Sequence, residues 1–314
     1  MPRNCTTPDC GRDATPPCTR SKYAGSACYR VRPEFNLATG ITMSHIPAER
    51  CLDIISLLAE GANTLPLGEI AERLSLPKSG AHRLLSTLVD LGWVAKEPDT
   101  SFYRLTMRLA VMGQRFYAAT GIPIICQPIL DRLAQETREF VRLAVADGDT
   151  LVWLAQAQGA TAGLIYQPPS SATGRVTVYS TATGKAWLST MPRERAIQIV
   201  TDMGFGDADR QGPNVVRSID DLLKELTLTE QRGYAIAVSE AEPGVSALAV
   251  PVRVNGVGPA LGTVSVAGPS VRMTTAQIEA IAPRLQSTAA ELAGLWPLRP
   301  SGTALPDRRA ARVA

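Results

Sequence analysis

The amino-acid sequence predicts an α+β chain: a small helical domain carrying a β-hairpin, a linker helix, and a larger domain with an antiparallel sheet flanked by helices. Three observations predict it. Residues 65–94 hold two short helical patterns around a tight break, and two short β-prone runs follow. From Phe140 the helical spacing of apolar residues gives way to strand runs joined by hairpin signals. Three helices separate those strands from three more, and an amphipathic helix closes the domain, an order that suits α+β packing.

Taken in order, residues 1–43 are rich in Pro, Thr, Cys and Arg and show no periodicity, which reads as a disordered tail or as sequence upstream of a true start at Met43. Residues 47–60 place Cys51, Ile54, Ile55 and Leu58 on one helical face, ended by Gly61. Within 65–94, Ile70, Ala71 and Leu74 recur at helical spacing, Ser75-Leu76-Pro77 interrupts, and Ala81, Leu84, Leu85 and Leu88 form a second apolar stripe. Opposite that stripe stand Lys78, Ser79, His82, Arg83, Ser86 and Thr87, with no acid until Asp90. Donors crowded at the start of the second of two angled helices suit insertion into a DNA major groove. Alone, the stretch reads equally as a helical hairpin with a solvated polar face. Gly92 ends the helix, and the runs 93–95 and 102–105 join across 96–101, where Pro98-Asp99 reads as a turn. Helix, helix-turn-helix and hairpin is the order of a winged helix, in which Lys96 and Arg104 would hold the DNA backbone or minor groove.

Residues 106–119 form a linker helix with Leu109, Met112 and Phe116 in register, and 128–137 a further helix. Strands are expected in 141–148, 149–158 and the segment GRVTVYS (174–180), helices in 184–191, 192–203 and 218–232, then three strands and a helix over 274–294. The boundaries that follow are 44–105 for the winged helix, 106–120 for the linker, 121–296 for the larger domain and 297–314 for a tail.

Length allows two cores. No apolar run reaches the roughly 20 residues of a membrane span, so no membrane association and a cytoplasmic protein are expected. The net charge of +3 resides in the termini, and residues 43–120 balance eight basic against eight acidic side chains. DNA affinity must therefore rest on placed side chains such as Lys78, Arg83, Lys96, Arg104 and Arg108. Cys5, Cys10, Cys18 and Cys28 lack the paired spacing of a zinc site, and Cys51 and Cys126 sit in apolar helical patterns, so no metal is expected and the compartment reads as reducing.

Several motifs point to a family. The chain resembles the IclR-type bacterial transcriptional regulators over about residues 45–296, through EIAERLSLPKSGAHRLLSTLVDLGWV, FYRLTMRLAVMG, STATGKAWL, RGYAIAVSEAEPGVSALAVPV and LGTVSVAGPSVRMT in that order. The resemblance implies a winged helix-turn-helix, a GAF-like effector domain, and homodimers or dimers of dimers on palindromic operator DNA. It also implies a small effector, commonly a carboxylate, that tunes affinity. Family positions lining the effector pocket fall on Thr183, Val245, Ala247 and Ser265. The backbone N–H groups of Gly184 and Lys185 would open a helix over it, or else Thr183 and its neighbours form a simple cap. Ser75 stands where the family usually has glycine, and Gly80, counted with Lys78, Ser79, His82, Arg83, Ser86, Lys96 and Arg104 in the DNA surface, where Thr or Ala is common. Ala247 replaces a frequent cysteine and Ala237 a frequent acid, so a carboxylate would depend on hydroxyls and backbone N–H groups.

Enzyme chemistry finds no support. Tyr179 and Ala186 break the P-loop pattern around STATGK, and the glycines at 256–258 precede a strand where a dinucleotide fingerprint needs a helix. His45 and His82 are the only histidines, both outside the larger domain, so no Ser-His-Asp triad can form there, and no catalytic residue or cofactor is expected. Ser239, Glu240 and Glu242 read as a solvated or rim face, and Trp153, Tyr166 and Trp187 as core or pocket wall. The expected function is a ligand-responsive DNA-binding regulator, repressor or activator, of a metabolic, catabolic operon. The alternative is a metabolite sensor whose winged helix mediates dimerisation or protein contact.

Overall fold

The computed structural model describes residues 46–60, 64–168, 174–206 and 211–297. The N-terminal tail with its four cysteines, Gly61 and residues 298–314 lie outside the described residues.

The N-terminal part consists of α1 (Ile46–Ala59), α2 (Leu67–Arg73), α3 (Lys78–Asp90) and a hairpin of β1 (Val94–Lys96) and β2 (Tyr103–Leu105). Its core is Ile54, Leu58, Ile70, Leu85, Leu88, Val94 and Tyr103, where the apolar spacing of each element converges. Leu65 and Tyr103 exchange backbone hydrogen bonds at 3.0 and 2.8 Å, adding one rung to the hairpin. α2 ends in a Schellman motif: the Leu76 N–H donates to the Ala71 carbonyl at 2.8 Å and the Ser75 N–H to that of Glu72 at 3.1 Å. The motif needs a left-handed residue, and Ser75 provides it at φ +53°. Pro77 then precedes α3 at a position where no backbone donor is missed.

The linker helix α4 (Arg108–Ala119) starts two residues later than its apolar spacing suggests. Thr106 is held back by the hairpin: its N–H donates to the Trp93 carbonyl and its hydroxyl to that of Gly92, at 2.9 and 2.8 Å. No residue of α4 is buried.

A one-turn helix, α5 (Ile122–Ile125), absent from the sequence expectations, follows Gly121 at φ +77°. After α6 (Gln127–Thr137) come β3 (Phe140–Asp147) and β4 (Thr150–Gln158), a hairpin whose turn uses Gly148 at φ +57°. Then follow α7 (Ala182–Leu188), α8 (Arg193–Met203), α9 (Ile219–Arg232), β5 (Ala235–Val238), β6 (Val245–Val252), β7 (Gly262–Pro269) and α10 (Thr275–Gly294). The sheet order is β4-β3-β7-β6-β5, with every pairing antiparallel. On one face α6 and α10 pack over Leu143, Leu248, Val264 and Val266. On the other, α7 to α9 bury Leu151, Val178, Trp187, Val200 and Leu222, so Trp187 is core.

Two expectations are corrected. GRVTVYS is no strand: only Arg175 bridges Val152, after which the chain turns into α7. Its apolar residues Val176, Val178 and Tyr179 are buried under α7 to α9, so their burial comes from helices and not from a ladder. The Val178 backbone lies so close to α7 that a Cβ on Gly184 would overlap it, which explains that glycine without any ligand. Glu240, expected on a solvated or rim face, is 8% exposed and takes the Lys185 ammonium, itself fully buried, at 2.7 and 2.9 Å. Glu225 of α9 stands 3.4 Å from the same ammonium, so one buried cation ties α7, the β5–β6 connection and α9.

Candidate functional site

Two surfaces have the makings of a site. The first is the outer face of α3. Lys78, Ser79, His82, Arg83 and Thr87 are exposed, Gly80 and Ser86 are half-buried, and Ala81, Leu85 and Leu88 anchor the opposite side. Thr87 donates to the Arg83 carbonyl at 3.1 Å, so its hydroxyl is engaged along the helix while the ends of Lys78, His82 and Arg83 reach outward. The hairpin does not present Lys96 and Arg104 together. Ala95 pairs with Arg104 and Lys96 with Tyr103, so the two cations leave opposite faces of the ribbon. Lys96 Nζ stands 5.8 Å from the Tyr103 ring centroid, and Arg104 lies 3.7 Å from Glu97, an exposed pair that a phosphate must outcompete. Arg108, at the first turn of α4, donates to the Leu91 carbonyl just past α3 and stacks 4.9 Å from the centre of the Trp93 ring. The linker helix is thereby bracketed to the end of α3.

The second surface is the sheet face beneath α7. Strand register arranges it in rows. Phe140, Ala267, Ala247 and Ala237 form one, and Gln156, Arg142, Ser265, Ala249 and Ala235 the next. A third holds Trp153, Ala144 and Thr263. Ala247 and Ala267 keep part of their surface exposed, whereas Ser265, Ala249 and Ala235 are buried. Methyl groups thus set the floor, with a shallow opening over the first row. Thr183 is buried on α7, Val245 is half-buried at the start of β6, and the Ser265 hydroxyl faces inward, 3.5 Å from the Arg142 carbonyl. The start of α7 offers less than its sequence suggests: the Gly184 N–H donates to the Thr181 hydroxyl at 3.0 Å, and the Lys185 N–H to the Thr181 carbonyl, also at 3.0 Å.

Sequence reasoning passed over Arg142. It is 8% exposed, with its guanidinium 3.7 Å from the Trp153 ring centroid and 5.8 Å from that of Phe140. Burial pushes it down to about 10, opposed by Tyr166 and Glu242, so it stays cationic at neutral pH. Tyr166 meets Phe140 edge-on, donates to Glu242 at 2.9 Å, and carries a hydroxyl raised by burial and by that carboxylate. Little in the sequence signals it: Arg142 is the one basic residue of the strand run FVRLAVAD, and a single arginine there reads as an ordinary polar strand member. Among the described residues no cluster of His, Cys, Asp or Glu could hold a metal ion, and no helix is long and apolar enough to cross a membrane.

Comparison with known proteins gives these surfaces their context. Residues 47–98 match the IclR helix-turn-helix domain, and residues 115–293 match the bacterial transcriptional regulator IclR C-terminal domain. The chain is 29% identical over 263 residues to the HTH-type transcriptional regulator BhcR of Paracoccus denitrificans (strain Pd 1222), covering 81% of this chain and 88% of that regulator. The structure of an IclR transcriptional regulator from Alicyclobacillus acidocaldarius superposes with a TM-score of 0.65 at 21% identity, over 82% of this chain and all of the other. An IclR homolog from Microbacterium hydrocarbonoxydans, complexed with 4-hydroxybenzoate, superposes with a TM-score of 0.63 at 22% identity, over 79% of this chain and 98% of that one. With both of its domains matched in order, the chain belongs to the IclR family of bacterial transcriptional regulators.

Proposed function

We propose that this DNA-binding regulator senses a small organic carboxylate through its C-terminal domain and thereby controls a metabolic, catabolic operon. The observation that carries the proposal is the pairing of a basic helix face on α3, with no acid before Asp90, with a half-open, alanine-floored sheet face beneath α7. Lys78, Ser79, Gly80, His82, Arg83 and Ser86 would face the major groove, with Lys96 and Arg104 on backbone phosphates. Thr183, Gly184, Val245, Ala247 and Ser265 would line the effector site, the Microbacterium homolog's 4-hydroxybenzoate being one example of the ligand class. Its winged helix would span 44–105, the linker 106–120 and the effector domain 121–296, in a chain that acts in the cytoplasm, where its operator is.

Assembly belongs to the same proposal. Val111, Met112 and Phe116 are 44–72% exposed on a helix with no buried residue, an apolar face suited to a second copy of the chain. Dimerisation there, or pairing of such dimers, would set the separation of two recognition helices, and the Arg108 bracket would pass a shift of α4 to α3.

The test is fluorescence anisotropy on DNA upstream of the neighbouring genes, with and without carboxylates. Arg83→Ala is expected to weaken operator binding roughly 10-fold or more while leaving the fold and ligand affinity intact. Operator binding by that variant at the wild-type level would sink the DNA-contact assignment.

A further inference from the structure

The chain leaves β4 as a strap, residues 159–168, that joins no strand of the sheet. Among the described residues, 160–168 form no backbone–backbone hydrogen bond. Side-chain bonds hold the strap instead. The Gln158 amide donates to the Tyr166 carbonyl at 2.9 Å and accepts from the Ala160 N–H at 3.0 Å. Arg272, paired with Glu139, donates to the Leu164 carbonyl at 2.5 Å. The remaining bond, from the Tyr166 hydroxyl to Glu242, is the one that reaches across the sheet. Tyr166 rests its ring on Phe140 of β3 and its hydroxyl on the β5–β6 connection, so it crosses the end of β7. That crossing lies at the row of Phe140, Ala267, Ala247 and Ala237, where the hollow beneath α7 is open.

The two partners of this bond are held unequally. The β5–β6 connection is fixed from several sides. The Gly212 N–H donates to the Glu240 carbonyl at 2.8 Å, the Gly244 N–H to the Ser239 hydroxyl at 3.1 Å, and the Glu240 side chain holds Lys185. The strap has no such frame, and Leu164 and Ile165 within it are exposed. Breaking the bond therefore moves the strap and leaves Glu242 in place. Burial and the Glu242 carboxylate both raise the Tyr166 hydroxyl, so it keeps its proton and donates. The field of the buried Arg142, in the next row of the same face, is felt by Tyr166 and Glu242 alike. At rest, this end of the hollow already holds an anion, and that anion is the protein's own.

We infer that Tyr166 is the hydroxyl donor for the effector's carboxylate, that Glu242 stands in for that carboxylate in the free protein, and that binding exchanges one for the other. The inference rests on the reading of the hollow beneath α7 as a carboxylate site, and it adds the two residues that set the threshold for entry. No proton moves in the exchange, because the tyrosine donates to an anion before and after it. The exchange at Tyr166 is nearly balanced, so net affinity comes from the ligand's body filling the alanine-floored row. Once Glu242 is displaced, the strap is tied to the ligand and no longer to the β5–β6 connection.

The experiment compares wild type, Tyr166→Phe, Glu242→Gln and the double variant as full chains. Each is titrated with 4-hydroxybenzoate by calorimetry and digested with chymotrypsin, which cuts after Leu164 and after either aromatic residue at position 166. Without ligand, Tyr166→Phe is expected to be cut in the strap roughly 10-fold faster than wild type, and Glu242→Gln faster by less, since an amide oxygen still accepts. Glu242→Gln is expected to bind the acid roughly 10-fold more tightly, because Tyr166 leaves an amide more readily than a carboxylate. In the Tyr166→Phe background the same change should gain about 2-fold at most, the share of charge repulsion alone. An equal gain in both backgrounds overturns the exchange, as does strap cleavage that neither single variant alters. Wild type that binds the acid without the Tyr166-dependent gain overturns this inference and leaves the carboxylate reading standing. No binding of the acid to any of the four proteins also overturns the exchange, and if no carboxylate shifts operator affinity either, the carboxylate reading falls with it.

Discussion

Ser75 holds a backbone conformation that costs a side-chain-bearing residue roughly 1–2 kcal/mol, and it does so at the bend between the two helices that define the DNA-binding domain. Ser75→Gly keeps the Schellman geometry and is expected to raise stability by about 0.5–1 kcal/mol, read as a higher Tm. A lower Tm would mean that the serine side chain gives back more than its backbone costs. Gly80 is the reverse case. A Cβ there would meet only the Pro77 ring, 3.9 Å away, so nothing in the protein's own packing requires glycine. Gly80→Ala should stabilise α3 by roughly 0.5–1 kcal/mol. If it also lowers operator affinity, the bare backbone serves close approach to DNA; unchanged affinity would remove Gly80 from the interface. Both residues were legible in the sequence because each breaks an expected local pattern. Arg142 was not, because one arginine in a strand looks like the ordinary polar member of an alternating run. Its burial depends on Trp153, which the β3–β4 bulge at Leu143/Ala144 brings beside it, and no local pattern encodes that register shift.

At the scale of elements, the helices and the hairpin-linked strands followed from apolar spacing and turn chemistry, because each buries one face against neighbours close in sequence. The segment GRVTVYS misled for the opposite reason. Its alternation is that of a strand, yet the surface that buries it comes from α7 to α9. The buried Lys185 has the same character: STATGK shows a lysine, and its partners lie 40 and 55 residues away. Lys185→Met is expected to destabilise the domain by about 3–5 kcal/mol at neutral pH, by leaving the Glu240 carboxylate buried without its cation. The pH dependence has a definite sign. Burial already raises the Glu240 carboxyl in the wild type, against the pull of Lys185, and the variant removes that pull. A carboxyl raised in the folded state favours folding below its unfolded value and loses that contribution as pH rises through the folded one. The deficit of Lys185→Met should therefore shrink on acidification below neutrality, and a Tm difference that is flat between pH 5 and 8 would exclude this account.

For the whole molecule, balanced charge over residues 43–120 and an unburied linker helix lead to one expectation: operator affinity depends on assembly. A 12-residue helix is marginal in water on its own, and α4 buries no residue within its own chain. Phe116→Glu, at a side chain 72% exposed, should leave both cores intact, yield monomers by light scattering, and weaken operator binding by well over 10-fold. A variant that remains dimeric would place the contact elsewhere. The sheet face beneath α7 carries a different consequence. Its central rows are lined by alanines at 235, 237, 247, 249 and 267, so the depth of the hollow is fixed by backbone and not by side chains. Exchanging one alanine for serine, cysteine or valine would redraw the hollow's outline while leaving strand pairing untouched. Such a scaffold can acquire a new chemical vocabulary by single substitutions, with its DNA-reading end unaltered.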